Sequence, residues 1–455
     1  QNVVVGDEAG TAITTGDANV AVGFEALKTE DAHGFNTAVG YRALKALDGG
    51  QDTFNTAFGA NAGLSISTGA FNAIFGGNAG DAITTGSQNT FIGVGNGSAT
   101  TTGHDNVSVG TFALNKDTLG ANSVAVGYSA LENQNFTTAT DTFNTAVGFK
   151  AGEAVTTGIQ NTLIGGLAGD ALTDADFNVA LGYATLTTDT LGSKSTAIGF
   201  AALAQQNFTT ATDAENTAVG FQSGMVITTG IQNTFVGSRS GDALTDADFN
   251  VAVGHEALTR DTLGSGSTAI GAFALVTQNF TTATDSHNTA VGKFAGRLIT
   301  TGVNNTLIGS SAGDSLTDAD SNVAIGRNAL ATDTLGSTSV AIGHAALETQ
   351  NFTTATQSLN TAVGFVAGKD LTTGRANVFL GAETATSASS CNDNVFIGYK
   401  AGTHTVPTTT GSANTILGSY AHIGNAGDSN AIAIGHDVTG TSGFTTLGNG
   451  NDDIR

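Results

Sequence analysis

The sequence predicts an all-β chain: a parallel β-solenoid of about 26 coils, mostly of 17 residues, with a 72-residue super-repeat. Three observations carry that expectation. The pattern Asn-Thr/Val-small-aliphatic-Gly recurs 26 times between Gly6 and Gly448 in 455 residues. Its pitch is mostly 17 residues, with every fourth step 21 between Gly76 and Gly364, which gives the period of 72. The composition is 63 Gly, 1 Pro, no Trp and 12% charged residues, against about 25% in an ordinary globular domain. Yet 40% of the chain is hydrophobic, enough to bury a core. Self-similarity at a fixed short period marks stacked units, none of which can bury its apolar face alone.

Each coil has the same parts. In "NTAVG" at 144–148, strand alternation places Thr145 and Val147 on one face and Asn144 and Ala146 on the other. Counting positions from the glycine, position −1 is Val, Ile, Leu or Phe, and the expectation is that it faces the core. Position −3 is mostly Thr or Val, suited to a strand. The glycine ends the strand, at positive φ or at a close backbone approach. A second apolar cluster follows as Val155, Leu172, Leu191 and Phe208, with the small Ala151, Ala168 and Ala202 in between. A strand, a Gly/Ala corner, a second short strand and a "TTG" or "TDAD" return complete the coil. Helices should be scarce, because no segment carries a capped 3.6-residue apolar stripe.

Position −4 is Asn in 20 of the 26 units: Asn144, Asn161, Asn178, Asn216, Asn233, Asn250, Asn288, Asn305, Asn322 and Asn360 represent it in the super-repeats. In neighbouring coils about 4.8 Å apart these amides should form a structural ladder. Ser123, Ser195, Ser267 and Ser339 take the site once per super-repeat. The longer fourth coil contains "QNFTTATD" or "QNFTTATQ", with Phe136, Phe208, Phe280 and Phe352. These phenylalanines either tuck inward or form a lateral contact edge repeated about 19 Å apart, four strand spacings.

Residues 1–75 read as N-terminal coils, 76–363 as four super-repeats and 364–455 as irregular C-terminal coils, within one continuous solenoid over 1–455. Twenty-five steps at about 4.8 Å give an expected rod of roughly 120 Å. The first coil begins at residue 1 and the last, "TTLGNGNDDIR", is a frayed continuation. The expectation is a longer fibre, or ends covered by other subunits, because bare terminal coils present unpaired edges.

The net charge of −23 disfavours nucleic acid and anionic membrane surfaces, which call for clustered Lys and Arg. No run approaches the roughly 18 apolar residues of a membrane span. Cys391 is single, so no disulfide framework is expected. "LTDAD" at 172–176, 244–248 and 316–320 sets paired carboxylates two apart: Asp174 with Asp176, Asp246 with Asp248, and Asp318 with Asp320. Together with Asp170, Asp242 or Asp314 these could ligate calcium, although Asp is equally suited to turns. The eight histidines, among them His33, His104, His255 and His436, read as standing at unrelated phases, with no His-x-x-x-His pair. No cofactor, nucleophile–base pair or unique cleft emerges, so the chain reads as a non-enzyme. Thr-x-Thr at Thr210 and Thr212 recurs only every fourth coil, a sparse lattice for ice binding. "NFT" formally matches a glycosylation sequon.

"NSVAVGYSAL" at 122–131 and "TSVAIGHAAL" at 338–347 resemble the head repeats of YadA-like trimeric autotransporter adhesins. The 17-residue form also resembles the shafts of phage tail fibres and secreted bacterial fibre proteins. The resemblance spans almost the whole chain. It implies a left-handed β-roll, commonly a parallel homotrimer, and an extracellular or cell- or virion-surface fibrous role in adhesion. The adhesin coils are nearer 14 residues, and neither a heptad stalk nor an anchor barrel is expected within these 455 residues. The expected partners are therefore copies of itself, as a homotrimer or an end-to-end polymer, and a cell-surface or matrix ligand.

Overall fold

A computed structural model describes residues 1–403, 408–449 and 454. It is a parallel β-solenoid of about 26 turns, without a helix among the described residues. The chain forms two compact units, Gln1–Thr229 and Gly230–Arg455, each holding thirteen of the strands that end at the repeated glycines.

Within each unit every strand pairs in parallel with the strand one turn away. Thr145, Ala146 and Val147 lie opposite Thr162, Leu163 and Ile164. Across a longer turn the same residues lie opposite Val124, Ala125 and Val126, so four extra residues leave the register intact. They are absorbed on the far side, in two-residue ladders such as Gly120–Ala121 with Thr140–Asp141 and Gly192–Ser193 with Thr212–Asp213. The second short strand expected of every coil is thus confined to a few turns. Elsewhere the chain returns through turns whose N–H groups bond the next turn, as from Gly152 to Ala168 O at 3.0 Å and from Thr156 to Thr173 O at 2.9 Å.

The core corrects the expected strand phase. Position −2 faces inward: Ala146, Leu163, Ala180 and Phe235 are fully buried. Position −1 faces out, where Leu181 is 42% exposed and Phe58 is 56% exposed. The cause is geometric. Asn at −4 is inward, so alternation carries −2 inward with it and turns −1 outward. The interior is narrow, and small residues sit beside large ones. Leu163 fills the space over Gly152 and Gly169, where an added Cβ would strike its methyl groups. A turn with Ala at −2, such as Ala125, supplies bulk from Leu131 instead. This exchange of bulk between neighbouring turns gives the super-repeat a packing reason.

Val155, Leu172 and Phe208 are buried as expected, but Leu191 is only half-buried. In that turn the inward position belongs to Asp189. The repeated glycine is required twice over. Gly148 has φ 146°, and a Cβ there would overlap the carbonyl of Gly165 in the next turn. Non-glycine residues also hold left-handed backbone at fixed positions, such as Phe143 at φ 49° and Lys150 at φ 56°.

Candidate interaction surface

The asparagine column is inward and buried throughout the super-repeats. Asn161 shows its bonding. Its Oδ1 accepts the N–H of Asn178 at 3.0 Å, and its Nδ2 donates to Ala175 O at 2.7 Å. The same pattern holds from Asn305 to Asn322 and to Ala319. Amide-to-amide bonds also occur, 3.1 Å from Asn377 to Asn360 and 3.2 Å from Asn322 to Asn305. Each side chain therefore joins the start of one coil to its end and to the next strand.

Where Ser replaces Asn, the octapeptide glutamine takes over. Gln206 Nε2 donates to Ser195 Oγ at 3.0 Å and to Asp189 Oδ2 at 2.5 Å, and its Oε1 accepts from Asn216 at 2.9 Å. Asp189 Oδ1 in turn accepts the N–H groups of Gly192 and Phe208. The set recurs as Asp117 with Gln134, Asp261 with Gln278 and Asp333 with Gln350. Burial pushes the Asp117 carboxyl above its ordinary range, against the Gln134 amide and backbone N–H groups that favour its charged form. Sequence reasoning missed this network. The signal was the coincidence of Gln, Ser and Asp within each 72-residue unit.

Phe136, Phe208, Phe280 and Phe352 are each only 6% exposed and do not form an accessible edge. Three of them, Phe208, Phe280 and Phe352, lie against Gly192, Gly264 and Gly336, where a Cβ would meet the ring.

The paired aspartates are divided among separate tasks. Asp176, Asp248 and Asp320 accept the N–H groups of Ile159, Ile231 and Val303, each at 2.8 Å. Asp174 and Asp318 accept the hydroxyls of Thr157 and Thr301. Asp246 is exposed. Asp170 binds Thr187, and Asp314 pairs with Arg297 at 2.8 Å. All these bonds run between turns. Among the described residues, one trio of ligand-bearing side chains has its atoms within 4.8 Å: Glu30, Asp31 and His33. Buried Glu30 accepts the His33 N–H at 3.1 Å, holding that turn. Cys391 is free and buried, and burial pushes its thiol up to about 11, an unreactive setting.

The outward side of the strands is the surface of interest. All but five of the exposed large apolar residues among those described fall at positions −5, −3, −1 and +1; the five are Val4, Phe112, Leu298, Phe444 and Ile454. Positions −3 and −1 form two rows of mostly β-branched and aliphatic side chains, with Phe58 and Phe75 among those at −1. No charged residue occurs at either position in any of the 26 repeats. Aromatic rails flank them. At −5, Phe54 stacks on Phe35 and Phe71 with centroids 4.9 Å and 5.6 Å apart. At +1, Phe200 stacks on Tyr183 and Phe221 at 5.8 Å and 5.4 Å. His255, His344 and His436 share this +1 position, rather than unrelated phases, and each packs against an aromatic ring. Cations cover the same rail, Arg42 over Tyr41 and Lys400 over Tyr399.

No helix among the described residues is long and apolar enough to cross a membrane. No protein-family model matches the chain, and no curated protein matches it either.

Proposed function

We propose that the chain is a non-enzymatic structural solenoid of an extracellular fibre, serving attachment or surface structure. The supporting observation is how its polar side chains are used. Asn, Gln, Asp and Thr groups bond from turn to turn at the same place in coil after coil, as Asn161 does between Asn178 and Ala175. Catalysis gathers unlike groups at one point. Here like groups are distributed along a stack, which builds length and stiffness. The charge of −23 supports the reading by keeping such a particle soluble through self-repulsion. The partners we propose are copies of the same chain and a cell-surface or matrix ligand.

Electron microscopy of the purified protein tests this reading. Discrete elongated particles are the expected result for a shaft. Filaments that lengthen with concentration would make the chain a polymer subunit instead, and compact particles would overturn both.

A further inference from the structure

We propose that Glu30, Asp31 and His33 form a binding site for one divalent transition-metal ion of the zinc type. The site goes beyond the structural reading above and does not depend on it.

The repeat shows what sets this turn apart. Glu30 stands seven residues after its glycine, the inward position that Asp117, Asp189, Asp261 and Asp333 take elsewhere. In those turns the carboxylate accepts the N–H three residues on and an amide from a glutamine one turn away. Asp189 does so from Gly192 at 3.0 Å and from Gln206 at 2.5 Å. Glu30 keeps the first bond, from the His33 N–H at 3.1 Å. It lacks the second, because Leu47 occupies the glutamine's place. Its other oxygen has only the N–H of Gly49, at 3.5 Å. A carboxylate whose side chain is 1% exposed is thus less well satisfied than its equivalents.

An imidazole stands where the amide is missing. The residue three on from the carboxylate is Gly120, Gly192, Gly264 or Gly336 in the equivalent turns, and here it is His33. Its Nδ1 lies 3.3 Å from Glu30 Oε1, and it is buried without a hydrogen-bond partner. Two lone-pair atoms this close repel unless a proton or a cation lies between them. The missing hydrogen-bond geometry disfavours the proton, and the distance suits a metal. Ligand atoms ~2.0–2.1 Å from a tetrahedral ion stand about 3.3 Å apart. Asp31 supplies a third donor: one atom each from Glu30, Asp31 and His33 lies within 4.8 Å of the other two. Nearby Lys28, Arg42 and Lys45 are paired with Glu25 instead.

The donor set selects the ion. One imidazole with two carboxylates suits zinc and its neighbours, whereas calcium and magnesium take oxygen ligands. Three protein ligands leave a coordination position for water. Asp31 is exposed and the His33 side chain is 25% exposed, so an ion can enter from solvent. Bound there, it joins a buried group to two outer ones and takes the structural place that Gln206 holds in the super-repeats.

Calorimetry on the whole chain, stripped with EDTA and dialysed, tests the site with Zn²⁺ alone. The wild type should bind one ion per chain. His33→Ala should weaken that binding by at least about tenfold, the loss produced even by groups that only orient a ligand. His104→Ala, which removes an exposed histidine beside Asp105, should leave it unchanged. Co²⁺ should give the intense visible absorption of a four-coordinate ion with the wild type and not with His33→Ala. Both variants should keep the wild-type circular dichroism, because neither side chain fills the core. Absence of a one-to-one site overturns the proposal, as does binding that His33→Ala leaves unchanged or that both variants weaken alike. The acidic surface then holds zinc adventitiously, and His33 serves only to pack against Glu30. None of these results bears on the structural reading, which rests on other residues.

Discussion

At the scale of the residue, a buried amide does the work that a longer core side chain does elsewhere. Asn161→Ala strands the N–H of Asn178 and the carbonyl of Ala175 inside the stack. The expected cost is about 2–4 kcal/mol, read as faster amide exchange in the neighbouring turns, while outward-facing Thr162→Ala should shift exchange little. Left-handed positions give the opposite kind of prediction. Gln88 is exposed at φ 61°. Gln88→Gly should stabilise its turn by about 0.5–1 kcal/mol in the same measurement, because relief of αL strain exceeds the entropy cost. The asparagine column was legible in the sequence, since twenty like residues at one phase point to one structural task. Strained positions such as Phe143 and Lys150 were not legible, because nothing in an L-residue announces positive φ.

At the scale of the element, the 72-residue unit is a set of four turns that exchange bulk and pass one hydrogen-bond chain along. Gln206→Ala removes the amide that joins Asp189, Ser195 and Asn216. The expected loss is on the order of 3 kcal/mol, confined by amide exchange to the turns between residues 182 and 220. An equal loss spread over distant turns would contradict the local network. The octapeptide's pitch and added length could be read from the sequence. The task of its glutamine could not, because Gln206, Ser195 and Asp189 are brought together only by stacking. The strand phase was misread for a physical reason. Hydrophobicity suggests that Leu181 is inside and Ala180 outside, but the inward asparagine fixes the opposite.

At the scale of the whole molecule, acidity and burial combine to make stability depend on pH. Burial pushes the carboxyls of Asp117, Asp170, Asp176, Asp242 and Asp314 above the usual 3.8. For each, the folded chain holds its proton more tightly than the unfolded chain. Stability therefore rises as pH falls through the raised values, and the gain is complete below 3.8. Protonation also relieves the charge of −23. Glu25 acts oppositely: Lys28, Lys45 and Arg42 hold its carboxyl at about 2, so its contribution is lost as pH falls from 4.5 toward that value. Thermal melts should thus show a midpoint that rises as pH is lowered toward 3.8 and declines at stronger acid. A midpoint that only falls on acidification would contradict this.

The solenoid itself was legible from period and composition, because each turn repeats the same small set of constraints. Which side of the strands faces out decides what the surface can bind, and one comparison addresses it directly. Ala180 is fully buried while its neighbour Leu181 is 42% exposed. Lysine placed at each in turn, followed by thermal circular dichroism, should separate them: Ala180→Lys buries a charge and should cost several kcal/mol, whereas Leu181→Lys should fold with its β signal intact. If Leu181→Lys collapses and Ala180→Lys is tolerated, the strands face the other way and the surface described above is the core.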